Sequence, residues 1–438
     1  MTRARQEEEG GIQLPVALVA GTRAMGRTWR RLPASLWLLI LARGVNQLGA
    51  FTLPFLAILL TRRLHLSVGA AGGLVALFGV ATIPGRILGG HLADWIGYRA
   101  TIVLGLLATA AGQLAVALFS TRMTAPIWLV LLGLAFEVYE PASQALVADL
   151  VSDADRPVAY GAYSAVIVVA GVPAGLLAAL VGRIGLSWLF VIDAGTCVGC
   201  ALLVAVLLRV PDAAPPRRPA GDSRPRVPWV SDPALLVMLA AGTAFAVIYM
   251  TIFVLTPLTL AARHLPPGDF GILIATSALT VIAGQPLLSR YRGAELGPFA
   301  AMAVSYLLLG LGLCAYGLAR SMWEFAGATV LWSIGDLILL GRAMAVVASL
   351  APKGARGRYL SAYGLSWGLA IAIAPLAGTQ LLQRWGSFWA WAAIALLCVV
   401  LALAQPLAAT VVRRRTQPAT RPRPAYPPST GAAPPVPD

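Results

Sequence analysis

Two glutamates stand three residues apart within an apolar stretch of the chain. Glu137 and Glu140 are followed one turn later by Gln144, and side chains at these spacings share one face of a helix. Two carboxylates this close cannot both stay ionised cheaply in a dry cavity, so one of them is expected to take up and release a proton near neutral pH. The alternative is that Glu140, directly before Pro141, satisfies backbone groups that the proline leaves unpaired.

Three polar side chains at helical spacing form a second candidate group. Arg43, Asn46 and Gln47 occupy positions i, i+3 and i+4 of another apolar stretch, so they too share one helix face. Such a group can hold an anionic or carbonyl-bearing ligand, or neutralise a carboxylate on a neighbouring helix. The alternative is an arginine that reaches towards water or locks a buried ion pair.

A third group combines charge with glycine where an apolar stretch ends, in the sequence Gly-Gly-His-Leu-Ala-Asp-Trp-Ile-Gly-Tyr-Arg. Arg86, Gly90 and Asp94 follow one another at four-residue spacing along one helix stripe. Gly97 can adopt the backbone conformation that ends a helix, and Arg99 adds a positive charge. The pattern predicts a close, charged contact between helices that forms and breaks as the helices move.

The composition shows what surrounds these groups. The chain has 438 residues, of which 58% are hydrophobic and 12% are charged, with a mean hydropathy of +0.79. Soluble domains carry about 25% charged residues. Apolar segments of about 20 residues recur along the whole length, so the bilayer is the solvent. An ionisable group at membrane depth costs at least about 2.5 kcal/mol to insert, which makes each such residue a functional hypothesis.

The apolar segments predict twelve membrane-spanning helices and divide the chain into five parts. The spans are predicted at about 35–60, 67–94, 99–119, 126–150, 157–182, 185–208, 233–261, 270–289, 296–319, 322–350, 357–383 and 385–408. The parts are a tail (1–34), a six-helix bundle (35–208), a Pro- and Arg-rich linker (209–232), a second six-helix bundle (233–408) and a disordered tail (409–438).

The formal net charge of +15 is explained by topology. With an even number of spans, both tails and the linker lie on one side of the membrane, and that side carries most of the 33 Lys and Arg residues. The asymmetry predicts that both termini are cytoplasmic. Basic segments there attract anionic lipid, and the charge gives no support to a nucleic-acid partner.

The two halves of the chain also match in sequence. At an offset of 200 residues, Arg156 aligns with Arg356 and Ala162-Tyr163 aligns with Ala362-Tyr363, after the fourth and the tenth spans. A duplicated six-span unit is typical of two pseudo-symmetric bundles that rock against each other around a midplane site.

With twelve spans and this repeat, the chain resembles the major facilitator superfamily. The family's signature between spans two and three is matched at six positions, while Trp95 and Tyr98 depart from it. The matching residues are Gly90, Leu92, Ala93, Asp94, Gly97 and Arg99. Further runs are similar to the drug:proton antiporter branch, namely Ser333-Ile-Gly-Asp336, Ala351-Pro-Lys353, Arg356-Gly-Arg-Tyr359, Pro141-Ala142 and Ala148-Asp-Leu150.

The resemblance implies roles for the charged residues. Spans one and four face each other across the central cavity in this family, so Arg43 is expected to pair with Glu137 or Glu140. Asp336 is expected to line the cavity from the second bundle, and Asp193 is interpreted as structural. Asp94 is expected to act as a cytoplasmic gate that contacts the start of the eleventh span, near Arg356 and Arg358.

The resulting hypothesis is a secondary active transporter that exports a small amphipathic or drug-like compound in exchange for protons by alternating access. The alternative is a proton-coupled importer of a nutrient or metabolite, which the fold permits equally. An enzyme is disfavoured, since the three histidines (His65, His91 and His264) form no metal motif and no phosphate-binding loop is present. We expect no cofactor and no metal, and a monomer in the inner (plasma) membrane.

Overall fold

The computed structural model describes residues 32–152, 155–208, 232–290, 297–351 and 356–416. Within these ranges the chain is helical and contains no strand. The predicted N-terminal tail up to residue 31, the linker 209–231 and residues 417–438 lie outside the described residues.

Thirteen α-helices are described, which we number in chain order. They are α1 (Ala34–Leu48), α2 (Thr52–Leu64), α3 (Val68–Ile96), α4 (Tyr98–Phe119), α5 (Ala125–Phe136), α6 (Tyr139–Asp149), α7 (Arg156–Ile184), α8 (Leu186–Leu207), α9 (Pro233–Ala262), α10 (Phe270–Arg290), α11 (Pro298–Leu318), α12 (Met322–Leu350) and α13 (Arg356–Thr416). A short 3-10 turn, Pro267–Asp269, precedes α10.

Eleven helical stretches in the described ranges are long and apolar enough to cross a membrane, and the last of them, Ala362–Arg415, has 54 residues, which is long enough for two crossings. Helix α13 has 61 residues and is interrupted at Gly386, whose φ of 77° suits glycine. The hydroxyl of Tyr359 and the guanidinium of Arg415, near its two ends, both reach Asp232, at 2.8 and 3.6 Å. The helix therefore folds back at Gly386, and the prediction of an all-α membrane protein with twelve spans is confirmed.

The last helix continues beyond the predicted end of its span. It runs to Thr416 with Arg413, Arg414 and Arg415 in its last turn. Positive charge stabilises the C-terminal end of a helix, and Arg415 also pairs with Asp232. The first eight residues of the segment predicted to be disordered from residue 409 are therefore helical.

Two spans are broken, a feature that the hydropathy pattern does not reveal. The first span consists of α1 and α2, separated at residues 49–51, and the fourth consists of α5 and α6, separated at Glu137 and Val138. Gly49 packs directly against Asp193 and Thr196 of α8, where a Cβ atom would clash. Both breaks lie inside the first bundle, because non-helical backbone at membrane depth must be covered by protein or line a cavity.

Contacts between loops define the two ends of the molecule. The terminus face carries Leu32, Leu208 and Asp232, and there the Tyr98 hydroxyl donates to Asp149 at 2.8 Å. On the far face, Arg122 donates to the carbonyl of Leu64 at 2.9 Å, and other interspan loops meet in the same way.

The two bundles contact each other through the half of the molecule nearer the far face. In spans two and eleven, Gly72 lies against Thr379, and in spans five and eight Gly175 and Gly182 lie against Gly271 and Gly268. Each of these glycines lacks room for a Cβ atom, so the backbones approach as closely as glycine allows.

Polar contacts close the same end of the molecule. Arg183 pairs with Asp269 at 3.0 Å, and Gln383 accepts a hydrogen bond from the backbone N–H of Gly69. Towards the terminus face, by contrast, Gly90 and Gly364 have open space beside their Cα atoms. The described contacts between the bundles therefore lie towards the far face.

We predict that Gly72→Leu opens the far face. Its side chain would overlap the Thr379 hydroxyl, whereas the neighbouring Gly73 faces open space. Spin labels at Met123→Cys and Trp323→Cys, both highly exposed at the far face, should report a longer distance between bundles in Gly72→Leu. The control Gly73→Leu should leave it unchanged. Equal distances in both variants would show that the glycine contact does not set the closure.

Candidate functional site

Close packing of the second and fourth spans positions the two glutamates. Gly85 and Gly89 of α3 lie against the backbone carbonyls of Leu134 and Val138, with no room for a Cβ atom at either glycine. Val138 is the residue at which the fourth span is broken. The glycines of span two therefore hold the break, and with it Glu137 and Glu140, at a fixed depth in the bundle.

Arg43 and Glu140 form a buried ion pair between the first and fourth spans. The guanidinium Nη1 lies 2.9 Å from Oε2 of the carboxylate, and the two side chains are 17% and 13% exposed. Gln144 donates to the other carboxylate oxygen at 2.9 Å. Both oxygens of Glu140 are thus engaged, one by the first span and the other by a neighbour on its own helix.

Tyrosines complete the surroundings of the arginine. Arg43 donates to the Tyr139 hydroxyl at 3.0 Å, and its guanidinium lies 5.9 and 5.6 Å from the ring centres of Tyr139 and Tyr163. Aromatic faces attract a cation at these distances. Arg43 is therefore held by a carboxylate, a hydroxyl and two rings, an arrangement that fixes its side chain inside the bundle.

Glu137 has a different and weaker environment. Its Oε2 lies 3.6 Å from Nη1 of Arg86 and is buried without a hydrogen-bond partner in the part of the chain that the structure describes. The Arg86 side chain is half exposed. The sequence places Arg86 on the stripe of Gly90 and Asp94, but the structure brings it to Glu137. The two glutamates thus differ, because one is tightly bound and the other is loosely compensated.

Asn46 and Gln47, the two polar residues that follow Arg43 in the first span, differ in their contacts. Asn46 accepts a hydrogen bond from the Tyr139 hydroxyl at 3.2 Å and donates to Sγ of Cys197 at 3.4 Å. Gln47 is half-buried and takes no part in this network. The structure therefore joins Arg43, Asn46, Glu140 and Gln144 into one connected group.

Asp336 lies in the second bundle among aromatic side chains. Its carboxylate is near the Tyr249 hydroxyl, and no hydrogen bond or ion pair to it is found within the described ranges. The rings of Tyr249, Phe253, Trp332 and Trp367 are stacked edge to face or tilted, with centres 5.1 to 6.3 Å apart. The packing of spans seven, ten and eleven brings these aromatic side chains together beside Asp336.

The expected gate between Asp94 and the start of the eleventh span stays a prediction. Asp94 is exposed, and Tyr359, the described side chain at the start of α13, donates to Asp232 instead. The side chains of Arg356 and Arg358 lie outside the described residues.

The glycines and Arg99 near Asp94 act within the first bundle. Gly97 has a φ of 82° and ends α3, in line with its predicted role. Gly90 faces open space, whereas its neighbour Gly89 makes the close contact with span four. Arg99 donates to the carbonyl of Ala205 in span six. These contacts anchor the loop between spans two and three to its own bundle.

Asp193 of span six binds the start of the helix that follows the break in the first span. Its Oδ2 accepts hydrogen bonds from the backbone N–H and the hydroxyl of Thr52, at 3.2 and 2.6 Å, and only 3% of the residue is exposed. Gly49, three residues before Thr52, is the sequence signal that marks the break. No group of three or more His, Cys, Asp and Glu side chains in the described ranges is placed to hold a metal ion.

Comparison with known proteins places this chain in a family. The model of the Major Facilitator Superfamily matches residues 39–290 and 237–435. An uncharacterized MFS-type transporter of Bacillus subtilis, YhjO, is 24% identical over 341 residues, covering 77% of this chain and 84% of that protein. The multidrug resistance protein MdtH of Cronobacter sakazakii is 26% identical over 304 residues, covering 66% and 72%.

A third relative and the solved structures agree. A Na(+), Li(+), K(+)/H(+) antiporter of Planococcus maritimus is 23% identical over 360 residues, covering 74% of this chain and 83% of that protein. The crystal structure of the peptide transporter POT in complex with sulfate has a TM-score of 0.71 at 16% identity and covers 87% of this chain and 96% of its own.

A bacterial homolog of the human lysosomal transporter Spinster, in an inward-facing and unoccupied conformation, has a TM-score of 0.68 at 16% identity, covering 88% and 98%. Since the family model spans both bundles and the curated relatives cover most of the chain, this multi-pass membrane protein is a transporter, not an enzyme, and belongs to the Major Facilitator Superfamily.

Proposed function

We propose that this transporter exports a small amphipathic or drug-like compound in exchange for protons, and that Glu137 is the group that exchanges the proton. The observation that carries the proposal is that the carboxylates of the two glutamates have different contacts. Glu140 is fixed by Arg43 and Gln144, while Oε2 of Glu137 is buried with Arg86 at 3.6 Å. A buried carboxylate without full compensation binds a proton readily.

The position of Glu137 supports a coupling role. It lies at the break of span four, where its Oε2 is buried, and the side chain of its partner Arg86 is half exposed. Protonation of Glu137 weakens its attraction to Arg86 and so changes the charge that faces the cavity. A group whose charge depends on a proton and faces the transport path can bias the equilibrium between two conformations.

Side chains of the second bundle support the proposal that the substrate is amphipathic. Asp336 offers an acidic group, and Tyr249, Phe253 and Trp367 offer half-buried aromatic surface beside it. A mostly apolar wall with few polar groups is typical of a small-molecule site. Among the relatives, a multidrug resistance protein supports a drug-like substrate, and a Na(+), Li(+), K(+)/H(+) antiporter supports exchange for protons.

The excess of Lys and Arg in the tails and the linker supports the proposal that the terminus face is cytoplasmic. The described arrangement is then proposed to be open to the cytoplasm. Asp94 would then form the gate when the bundles close at that face, with the start of span eleven near Arg356 and Arg358 as its partner. Asp94 is exposed, so it is available for such a contact.

The function is tested in a host that lacks its own efflux pumps. We expect the wild-type chain to raise resistance to some amphipathic toxic compounds, and a proton uncoupler to remove that resistance. Glu137→Gln should abolish it at equal protein levels. The matched control Glu324→Gln changes an exposed capping-box residue, where glutamine also serves, and should stay active. Accumulation of a nutrient without resistance would contradict export, and resistance that survives the uncoupler would contradict proton coupling.

The contrasting role of Glu140 predicts a stability effect. Arg43→Met leaves the buried Glu140 carboxylate without its cation, which should cost about 3–5 kcal/mol. Adding Glu140→Gln to Arg43→Met should recover most of that loss, because no charge then stays unpaired. Thermal unfolding in detergent measures both effects. Additive losses in the double variant would mean that the pair does not act as a unit.

The gate predicts a shift of conformation without loss of binding. Asp94→Asn should reduce closure at the terminus face, so the spin-label distance between Met123→Cys and Trp323→Cys at the far face should populate the closed value more. The affinity for a transported compound should be retained. Asp155→Asn alters a carboxylate on the same face that accepts from Ser152 and should have no effect. An unchanged distance distribution in Asp94→Asn would count against the gate.

A further inference from the structure

The break in the first span lies against the carboxylate of Asp193, which has no role in the proposed exchange of a proton at Glu137. Helix α1 ends at Leu48 and α2 begins at Thr52, and Asp193 of span six lies against this gap. Gly49 is so close to the Asp193 backbone that a Cβ atom would meet it at 2.8 Å. The contact covers the non-helical backbone with α8 and leaves the carboxylate 3% exposed.

The hydrogen bonds around Asp193 are one-sided. The backbone N–H and hydroxyl of Thr52 both donate to Oδ2, and the hydroxyl contact is short at 2.6 Å, as is usual for an ionised acceptor. Oδ1 faces the thiol of Cys197 at 3.9 Å. The backbone of Phe51 and the amide of Gln113 also lie near the carboxylate.

No basic side chain compensates the charge among the residues that the structure describes. The ionisable groups that reach this region are Cys197 and Cys200 on its own helix, Arg43 on α1 and Tyr163 on α7, and Arg43 is already paired with Glu140. Spans one and three otherwise contribute Thr52 and Gln113. A buried carboxylate with hydrogen bonds but no cation is costly to keep ionised.

Gln113 gives an independent sign that the pocket has an unfilled position. It is fully buried, its amide nitrogen donates to the Thr52 hydroxyl at 3.0 Å, and its Oε1 has no hydrogen-bond partner in the described ranges. An unpaired buried acceptor needs a donor. The Gln113 amide lies beside Asp193, and a protonated carboxyl has one hydrogen bond to donate.

A chain of polar groups connects this pocket to the pair of glutamates. From Asp193 it passes through Cys197 to Asn46, which bonds to Sγ at 3.4 Å and accepts from the Tyr139 hydroxyl at 3.2 Å. Tyr139 in turn accepts from Arg43, the partner of Glu140. The chain runs from the fourth span to the break in the first.

We propose that Asp193, together with Thr52 and Gln113, is a second proton-binding site of this transporter. It is linked to Glu140 through Cys197, Asn46, Tyr139 and Arg43. The proposal rests on the proposed function for its role in coupling, but not for the protonation itself. A monovalent metal ion is disfavoured, because two donors from Thr52 already occupy Oδ2 and the Gln113 nitrogen points to Thr52.

The protonation is tested by infrared difference spectroscopy of the purified full-length protein during a pH titration. We expect a band of a protonated buried carboxyl that is lost in Asp193→Asn and kept in Asp149→Asn, an exposed carboxylate on the terminus face. Thr52→Val removes one donor to the ionised form and should move the midpoint of that band to higher pH. This variant keeps the carboxylate and decides the question if Asp193→Asn does not fold.

The role in coupling is tested separately in proteoliposomes with an imposed pH gradient. We expect Asp193→Asn to transport with one proton fewer per cycle, while Glu137→Gln loses gradient-driven transport. A spectrum without the Asp193 band, or a band that responds to added Na+ instead of pH, would overturn the site. Absence of any proton movement in the wild type would overturn the proposed function, and the titration would still decide whether Asp193 takes a proton.

Discussion

The arrangement of the first bundle depends on one requirement, that charge buried in a bilayer must be compensated inside the protein. Arg43 and Glu140 meet this requirement across spans one and four at 2.9 Å. Since a lone arginine or carboxylate at this depth costs several kcal/mol, neither side chain is stable without the other. The pair thereby sets the register of the two spans, and Gln144, Tyr139 and Tyr163 hold it in place.

Glycine contacts decide where the remaining charges lie. Gly85 and Gly89 bring spans two and four together, which carries Arg86 to Glu137. In span one, Gly49 allows the chain to break against span six, which brings Thr52 to Asp193. In a membrane, small residues at helix interfaces allow close approach where no hydrophobic driving force acts between helices. The positions of the buried polar groups thus depend on glycines, which have no functional side chain of their own.

Much of the fold was predictable because lipid imposes a simple rule on sequence. Twelve apolar stretches, a basic linker and the repeat centred on Arg156 and Arg356 are local features, and each follows from hydropathy or from residue identity. The first and fourth spans were predicted as continuous helices, since a break at Gly49 or Val138 leaves the hydropathy unchanged. The stripe of Arg86, Gly90 and Asp94 was predicted as one unit because they share a helix face, but only Arg86 reaches the fourth span in this conformation.

The sequence alone determined that this chain crosses the membrane twelve times, that its halves are related, and which few residues carry charge at membrane depth. Tertiary structure decided which of those charges are matched. Glu137 and Glu140 are equivalent as a sequence pattern, yet one has two strong partners and the other a distant one. Pairing depends on small differences in the distance between side chains on different spans: Arg43 lies 2.9 Å from Glu140, whereas Arg86 lies 3.6 Å from Glu137. Such distances are set by interhelical packing, which hydropathy and spacing along a single helix do not encode.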